Sequence, residues 1–165
     1  MINKVRDTLL KLRYWILGLS FTLVIGWFLL SHTQLHLCLT PSLEGIRALL
    51  FFKTNKFYQN DIIFIQGHVY KHLDIPLKNQ IFAKRVIGLP GDILIRDNDD
   101  IKIIKTLPLI QKTKEGHSLT PTQTQVVPEG FVFVAGDHPR SIDSRYEEFG
   151  LVPFEKIWGK ALFTW

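Results

Sequence analysis

Residues 81–96 read IFAKRVIGLPGDILIR and contain two apolar, β-prone runs separated by a turn sequence. Pro90 presets φ for the first turn position, and Gly91 supplies the positive φ that the next position needs. The segment therefore predicts a strand, a tight turn and a second strand.

Lys84 interrupts the first apolar run. If side chains alternate, Phe82, Lys84 and Val86 share one face of the strand and Arg85 points to the other. A lysine on an apolar face loses hydration, so its pKa should fall and its neutral amine should become accessible near neutral pH. A neutral amine beside a hydroxyl is a general base. The alternative is an edge lysine whose ammonium reaches water along the sheet surface.

Residues 84–92, KRVIGLPGD, resemble the lysine box of the type I signal peptidase superfamily, whose members are serine peptidases with a Ser–Lys dyad. That superfamily includes the TraF-type peptidases of conjugative transfer systems, which this chain resembles most. The resemblance implies that Lys84 is the general base of a serine endopeptidase. It also implies that the reaction needs neither a metal nor a cofactor.

Residues 39–46, LTPSLEGI, resemble the nucleophile box of the same family. The resemblance implies that Ser42 is the nucleophile, and that Thr40 and the backbone N–H of Ser42 donate to the oxyanion. Glu44 departs from the TraF pattern, which has Pro there, and Gly45 comes one residue early. From the residues alone, Ser42 could instead be the N-cap of a helix over LEGIRALLFF.

Residues 136–145, GDHPRSIDSR, resemble the last box of the family, with His138 where Asn is usual. The resemblance implies that Ser141 hydrogen-bonds Lys84 and orients its amine. It further implies a structural ion pair between Asp143 and Arg145 that supports the loop. Without the resemblance, this would be a polar loop with a surface salt bridge.

An uncharged tract, YWILGLSFTLVIGWFLL, covers residues 14–30 and follows four basic residues, Lys4, Arg6, Lys11 and Arg13. It predicts a membrane anchor over 14–34, a cytoplasmic N-terminus over 1–13 and an extracytoplasmic (periplasmic) peptidase domain over 35–165, on the cytoplasmic (inner) membrane. The alternative is a cleaved secretory signal, but nothing after Leu30 resembles Ala-x-Ala.

Short strand-like runs separated by turn residues predict a mostly β domain with a curved, barrel-like antiparallel sheet. Strands are expected over 61–66, 93–96, 101–104 and 131–135. The closing segment resembles the end of the family, which implies a last strand over 157–163 that completes the sheet. The polar segment 107–125 is expected to be an exposed excursion.

Other functions have weaker support. The net charge of +5 comes from scattered residues, so a nucleic-acid partner is not expected. The six histidines form no convincing metal motif. A Ser42–His138–Asp143 triad is disfavoured because the His and Asp share one short loop. A self-cleaving repressor is disfavoured by the anchor and by the lack of a DNA-binding region.

The TraF resemblance implies processing of an exported preprotein, in particular maturation of a conjugative prepilin, with head-to-tail cyclisation of the pilin as a finer expectation. Thr40-Pro41-Ser42-Leu43 with Gly45 supports this branch, as does the short interval from Gly91 to Gly136. Expected partners are the preprotein, the membrane and other conjugative transfer proteins. Two alternatives stay open, a housekeeping signal peptidase I and a catalytically silent bitopic subunit of a secretion assembly.

Overall fold

The computed structural model describes residues 2–37, 42–66, 81–97, 99–103, 105–114 and 116–165. The chain divides into two compact units, residues 1–34 and 35–165.

The first unit is the helix α1 (Ile2–His32), whose segment Leu9–His32 is 24 residues long and apolar enough to cross a membrane. At 1.5 Å per residue this segment exceeds the roughly 30 Å of a bilayer core. Its hydroxyls are satisfied within the helix, since Ser20 Oγ and Thr22 Oγ1 donate to carbonyls one turn earlier, at 2.8 and 2.9 Å.

The helix ends earlier than the predicted anchor. Thr33 and Gln34 belong to the first strand. At its N-terminal end the apolar segment begins at Leu9, five residues before the predicted anchor, and so includes Lys11 and Arg13. Thr33 nevertheless closes the last turn, because its Oγ1 donates to the carbonyl of Leu29 at 2.7 Å. Polar Thr33 and Gln34 favour pairing in a sheet over continuing an apolar span.

The second unit is mostly β, as predicted. Among the described residues there are ten strands: β1 (Thr33–Leu37), β2 (Ala48–Lys53), β3 (Ile62–Gln66), β4 (Ile81–Gly88), β5 (Ile95–Asp97), β6 (Asp100–Lys102), β7 (Thr106–Pro108), β8 (Phe131–Ala135), β9 (Val152–Pro153) and β10 (Ile157–Thr164). Seven form a sheet of order β1-β2-β10-β3-β4-β8-β9, in which every pairing from β2 to β9 is antiparallel. Strands β5, β6 and β7 form a second antiparallel sheet.

Strand β10 lies inside the large sheet, between β2 and β3, rather than at its edge. Gly159 permits this position, because a Cβ atom there would collide with the backbone of Phe52. The register shifts between Ile157 and Gly159, as expected for a bulge beside a glycine in a strand.

The segment after Ser42 forms a turn and then β2, so the helix alternative for LEGIRALLFF is wrong. Leu49 and Phe51 are completely buried, while Leu50 and Phe52 between and after them are only partly buried. That alternation with period two is typical of a strand. Pairing with β10 and the β-prone Phe51-Phe52 pair outweigh the capping signal.

The predicted turn forms, and Gly91 has φ 87°. The second strand is shorter than predicted, begins at Ile95 and pairs with β6 in the small sheet. Buried Ile87, Leu94 and Phe133 belong to one apolar cluster with residues of the small sheet, so the turn leads from one sheet to the other across a shared core.

The expectation of an exposed excursion over 107–125 is wrong in part. Strand β7 begins the segment and pairs with β6, and the side chains of Leu107 and Leu119 are 3% and 7% exposed. Thr113 and Thr122 are buried as well. The segment is polar in composition, yet its two buried leucines and its backbone hydrogen bonds attach it to the domain.

Candidate active site

Lys84 lies in the interior of the large sheet. It occupies the middle of β4, opposite Ile63 of β3, and its residue is only 5% exposed. Its strand neighbours Phe82 and Val86 pack in one apolar cluster, in agreement with the alternation read from the sequence. An edge position in which the ammonium reaches water is therefore excluded.

The Nζ atom of Lys84 donates to the Oγ atom of Ser141 at 2.6 Å, across 57 positions of sequence. Ser141 is itself buried, at 6% exposure. Its position is set locally by a turn in which its N–H donates to the carbonyl of His138 at 3.0 Å. The lysine box and the last box thus meet through one buried hydrogen bond.

Burial lowers the pKa of Lys84 to about 8, because the ammonium is less well solvated there than in water. The negative charge of Asp143 opposes this shift, and the positive charge of Arg145 adds to it. The two neighbours carry opposite charges, so desolvation dominates. A lysine in this state supplies a neutral amine at mildly alkaline pH.

Asp143 and Arg145 form a buried bidentate ion pair. The Nε and Nη2 atoms of Arg145 each donate to one carboxylate oxygen, both at 2.8 Å, and the two side chains are 0% and 1% exposed. The carboxylate also accepts from the N–H of Gly136 at 2.8 Å. The remaining Arg145 donors bind backbone carbonyls of Pro108, Pro139 and Ser141. A buried charge pair needs such complete hydrogen bonding. Because both side chains are buried, the alternative of a surface salt bridge is excluded.

Ser42 reaches this site through its backbone. Its carbonyl oxygen accepts from the N–H groups of Asp137 and His138, at 2.7 and 3.3 Å. The same oxygen and the Oγ atom of Ser141 both lie within 2.7 Å of the point that a Cβ on Gly136 would occupy. Leu43, the next residue, is 2% exposed and fixes the turn to the core. All three boxes therefore converge at Gly136.

Thr40, the second predicted oxyanion donor, lies outside the described residues. The structural description resumes at Ser42, in the turn that precedes β2.

A second pair, which the sequence reasoning missed, holds the same loop. Arg85 donates from Nε and Nη2 to the two carboxylate oxygens of Asp137, at 2.9 and 2.8 Å, and Lys105 lies 3.6 Å from that carboxylate. The Arg85 hydrogen bond lowers the pKa of Asp137, and the carboxylate in turn raises the pKa of Arg85. The available signal was the alternation that turns Arg85 away from Lys84, together with the aspartate of Gly136-Asp137.

The geometry argues against the Ser–His–Asp alternative. The Nδ1 atom of His138 accepts from the N–H of Arg140 at 3.0 Å, so it carries no proton to donate to Asp143. Asp143 is already engaged by Arg145 and Gly136. Among the residues that the structure describes, no three His, Cys, Asp or Glu side chains are grouped so as to hold a metal ion.

Comparisons with known proteins agree on one family. The model of the family described as signal peptidase, peptidase S26, matches residues 9–165. A signal peptidase I of Bacillus licheniformis is 33% identical over 138 residues, which cover 75% of this chain and 69% of the relative. A signal peptidase IB of Staphylococcus aureus is 26% identical over 179 residues, covering 93% and 88%.

A crystal structure of a signal peptidase I from Enterococcus faecalis superimposes with a TM-score of 0.42 and 32% identity, over 64% of this chain and 96% of that chain. The family match extends from within the apolar helix to the last residue of the sequence. The chain is therefore a membrane-anchored serine endopeptidase of the signal peptidase family.

Proposed function

We propose that this protein cleaves the leader peptides of exported preproteins with Ser42 as nucleophile and Lys84 as general base. The observation that carries the proposal is the buried Lys84 amine, held at 2.6 Å by the Ser141 hydroxyl beside the loop that binds the Ser42 backbone. A surface lysine would stay charged at neutral pH and could not accept a proton.

In the proposed reaction, Ser42 Oγ attacks the scissile carbonyl carbon while its proton passes to Lys84 Nζ. The oxyanion of the tetrahedral intermediate is held by the Ser42 backbone N–H and the Thr40 hydroxyl. Lys84 then gives its proton to the leaving amine as the C–N bond breaks. Water attacks the resulting ester while Lys84 takes a proton from it. Lys84 returns that proton to Ser42 Oγ as the ester C–O bond breaks, and the acid product leaves.

The supporting residues have separate tasks in this proposal. Ser141 orients the Lys84 amine, and the Asp143–Arg145 pair holds Ser141 through the Arg145 hydrogen bond to its carbonyl, at 2.9 Å. These groups touch the base or its loop and not the substrate, so they act by positioning.

For the topology we propose that residues 1–13 lie in the cytoplasm, that 14–34 contain the anchor in the cytoplasmic membrane, and that 35–165 act on its outer side. The basic residues before the apolar segment support this orientation, because cytoplasmic flanks are enriched in Lys and Arg. A peptidase on the outer side would meet leaders at the membrane surface.

For the substrate we propose a prepilin of a conjugative transfer system, with other transfer proteins as partners and pilin cyclisation as the finest form of the proposal. The TraF-like sequence around Thr40 and Ser42 supports this substrate. Cyclisation requires the pilin's own amine to outcompete water at the ester, through a high effective concentration. A housekeeping role is the second candidate, favoured by the relatives, which are named signal peptidase I and IB.

The test is a processing assay on full-length protein in detergent or vesicles, with wild type, Ser42→Ala and Lys84→Ala. Loss of cleavage in both variants is expected, with Ser31→Ala in the helix as a matched control that keeps activity. Cleavage retained by Ser42→Ala or Lys84→Ala would refute the mechanism. An inactive wild type on every preprotein offered would favour the silent-subunit alternative.

The intact mass of the pilin, measured from cells with and without the protein, tests both pilin processing and pilin cyclisation. An unchanged mass in the deletion strain refutes pilin processing. A processed pilin one water heavier than the ring refutes cyclisation.

A further inference from the structure

Residues 108–110 and 120–122, which we call the clasp, are hydrogen-bonded to residues 145–148, which begin at the last residue of the last box. The Thr120 N–H donates to both carboxylate oxygens of Glu148, at 2.9 and 3.1 Å. The Ile110 N–H donates to the hydroxyl of Tyr146 at 2.8 Å. These two side chains accept hydrogen bonds from the two different segments of the clasp.

Backbone contacts complete the attachment. The Thr122 N–H donates to the carbonyl of Arg145, and the Glu147 N–H donates to the carbonyl of Thr120, both at 2.8 Å. Pro121 pairs with Tyr146 as an isolated antiparallel bridge. The clasp and the end of the last box therefore form a short paired ribbon.

One face of the ribbon is buried, whereas Pro108, Thr120 and Glu147 are exposed. Tyr146 is 0% exposed and Glu148 7% exposed, and Thr122 of the clasp is also buried. A glutamate is rarely buried to this extent unless its carboxylate is hydrogen-bonded, and here the partner is a backbone N–H of a segment distant in sequence. Neither Tyr146 nor Glu148 lies in a strand of the large sheet.

A continuous set of contacts joins the clasp to Lys84. The carbonyl of Pro108 accepts from Nη1 of Arg145 at 2.7 Å, while Nη2 of the same side chain donates to the carbonyl of Ser141. Ser141 accepts from Lys84. Arg145 is thus held on one side by the clasp and on the other by the residue that orients the base.

We propose that the clasp positions the general base, and that Tyr146 and Glu148 are positioning residues for the cleavage reaction. This inference rests on the proposed function, because it assigns the residues a role through Lys84. Segment 106–125, although polar in composition, would then help to position the catalytic base.

Loosening the clasp should admit water to Arg145 and to the neighbouring Lys84 amine. Hydration favours the charged ammonium, so the pKa of Lys84 should rise. The charged groups that act on Lys84 are Asp143 and Arg145, and both belong to the loop that the clasp holds. The acid limb of the activity profile should therefore move to higher pH.

The experiment measures kcat/KM against pH for full-length protein on a leader-peptide substrate. The variants are Glu148→Gln and Tyr146→Phe, which keep size and remove the carboxylate or the hydroxyl acceptor. Glu155→Gln and Tyr58→Phe are matched controls, because both residues are exposed and lie outside the clasp. We expect the clasp variants to lose about threefold to tenfold at pH 7 and to recover at high pH, a shift of up to about one pKa unit.

A uniform loss at all pH values, or an unchanged profile, overturns the inference. If Glu148→Gln does not accumulate as folded protein, Tyr146→Phe decides by the same criterion. Retention of cleavage by Ser42→Ala would instead refute the proposed function. If Ser42→Ala is inactive but the acid limb of the pH profile is unchanged in the clasp variants, the positioning role is refuted and the proposed function stands.

Discussion

The backbone N–H of Asp137 donates to the carbonyl oxygen of Ser42 at 2.7 Å, so the candidate nucleophile loop is fixed to the end of β8 without any side chain. The side chain of Asp137 is thereby left to bind Arg85, the residue next to Lys84. One residue thus connects the nucleophile box to the lysine box.

Replacing Asp137 by Asn should weaken the second of these connections and keep the first. Loss of the charged bidentate pair should lower the free energy of unfolding by about 1–2 kcal/mol, since hydrogen bonds to charged groups are worth more than neutral ones. Thermal or denaturant unfolding of the full chain in detergent measures this. Asp97→Asn is the control, because its 3.9 Å pair with Lys102 is exposed and should contribute little. Equal effects of the two substitutions would contradict the prediction.

Activity should depend on pH through the neutral amine of Lys84. Because the pKa of Lys84 is lowered to about 8 by burial, kcat/KM should rise about tenfold per pH unit below that value and level off above it. The measurement is a pH profile at constant ionic strength with the wild-type protein. Lys84→Arg should be inactive throughout, since guanidinium stays charged. A flat profile between pH 6 and pH 8, or activity in Lys84→Arg, would argue against Lys84 as the base.

Ser141→Ala removes the hydroxyl that accepts from Lys84 at 2.6 Å and leaves the rest of the loop in place. We expect cleavage to fall by about tenfold to a hundredfold, since about 1.4 kcal/mol corresponds to a factor of ten and a charged-group hydrogen bond is worth about 1.5–3 kcal/mol. Initial rates of preprotein processing measure the effect. Ser31→Ala, in α1 and outside the site, is the control. An unchanged rate in Ser141→Ala would mean that the amine is oriented by other groups.

The sequence predicted those features that depend on short spacing. The β4 strand and the Gly91 turn follow from residues within one box, whereas the family resemblance implied the structural Asp143–Arg145 pair. The Lys84–Ser141 contact joins residues 57 positions apart, and only the family resemblance supplied it. No periodicity encodes which strands become neighbours, so the partner of a buried lysine cannot be read from its own strand.

The features missed by the sequence reasoning have the same cause. Strand β10 was expected, but its place between β2 and β3 was not predicted, because a position in the sheet is set by long-range pairing. The attachment of segment 107–125 was missed because its polar residues outnumber its apolar ones, although Leu107 and Leu119 are buried. Composition predicts only the average exposure of a segment. It does not show that single residues such as Leu107 and Leu119 are buried and attach the segment to the domain.

Lys84→Met should make the folded protein more stable near neutral pH while abolishing cleavage. The folded-state pKa of Lys84 is about 8, against 10.5 for the free side chain, so the unfolded chain binds more protons between these values and wild-type stability rises with pH across that window. Below pH 8 the full cost of burying the amine is present, on the order of 3–4 kcal/mol from about 1.4 kcal/mol per pKa unit. Unfolding of both proteins at pH 7 and pH 10.5 measures it. The gain of Lys84→Met should shrink toward the higher pH, and a gain independent of pH would contradict this origin.

Gly136→Ala should disable the site through steric contact alone. A Cβ at this position would overlap the side chain of Ser141 and come within 2.7 Å of the carbonyl oxygen of Ser42, so one of the two must move. Both displacements separate the candidate nucleophile loop from the base, and a shift of about 1 Å in an active site can cost a hundredfold in rate. We expect at least that loss in the processing assay. Gly26→Ala in α1 is the control, because nothing lies within 4 Å of its added methyl group. Wild-type cleavage by Gly136→Ala, with folded protein verified by its unfolding transition, would mean that the three boxes need not converge at Gly136 for catalysis.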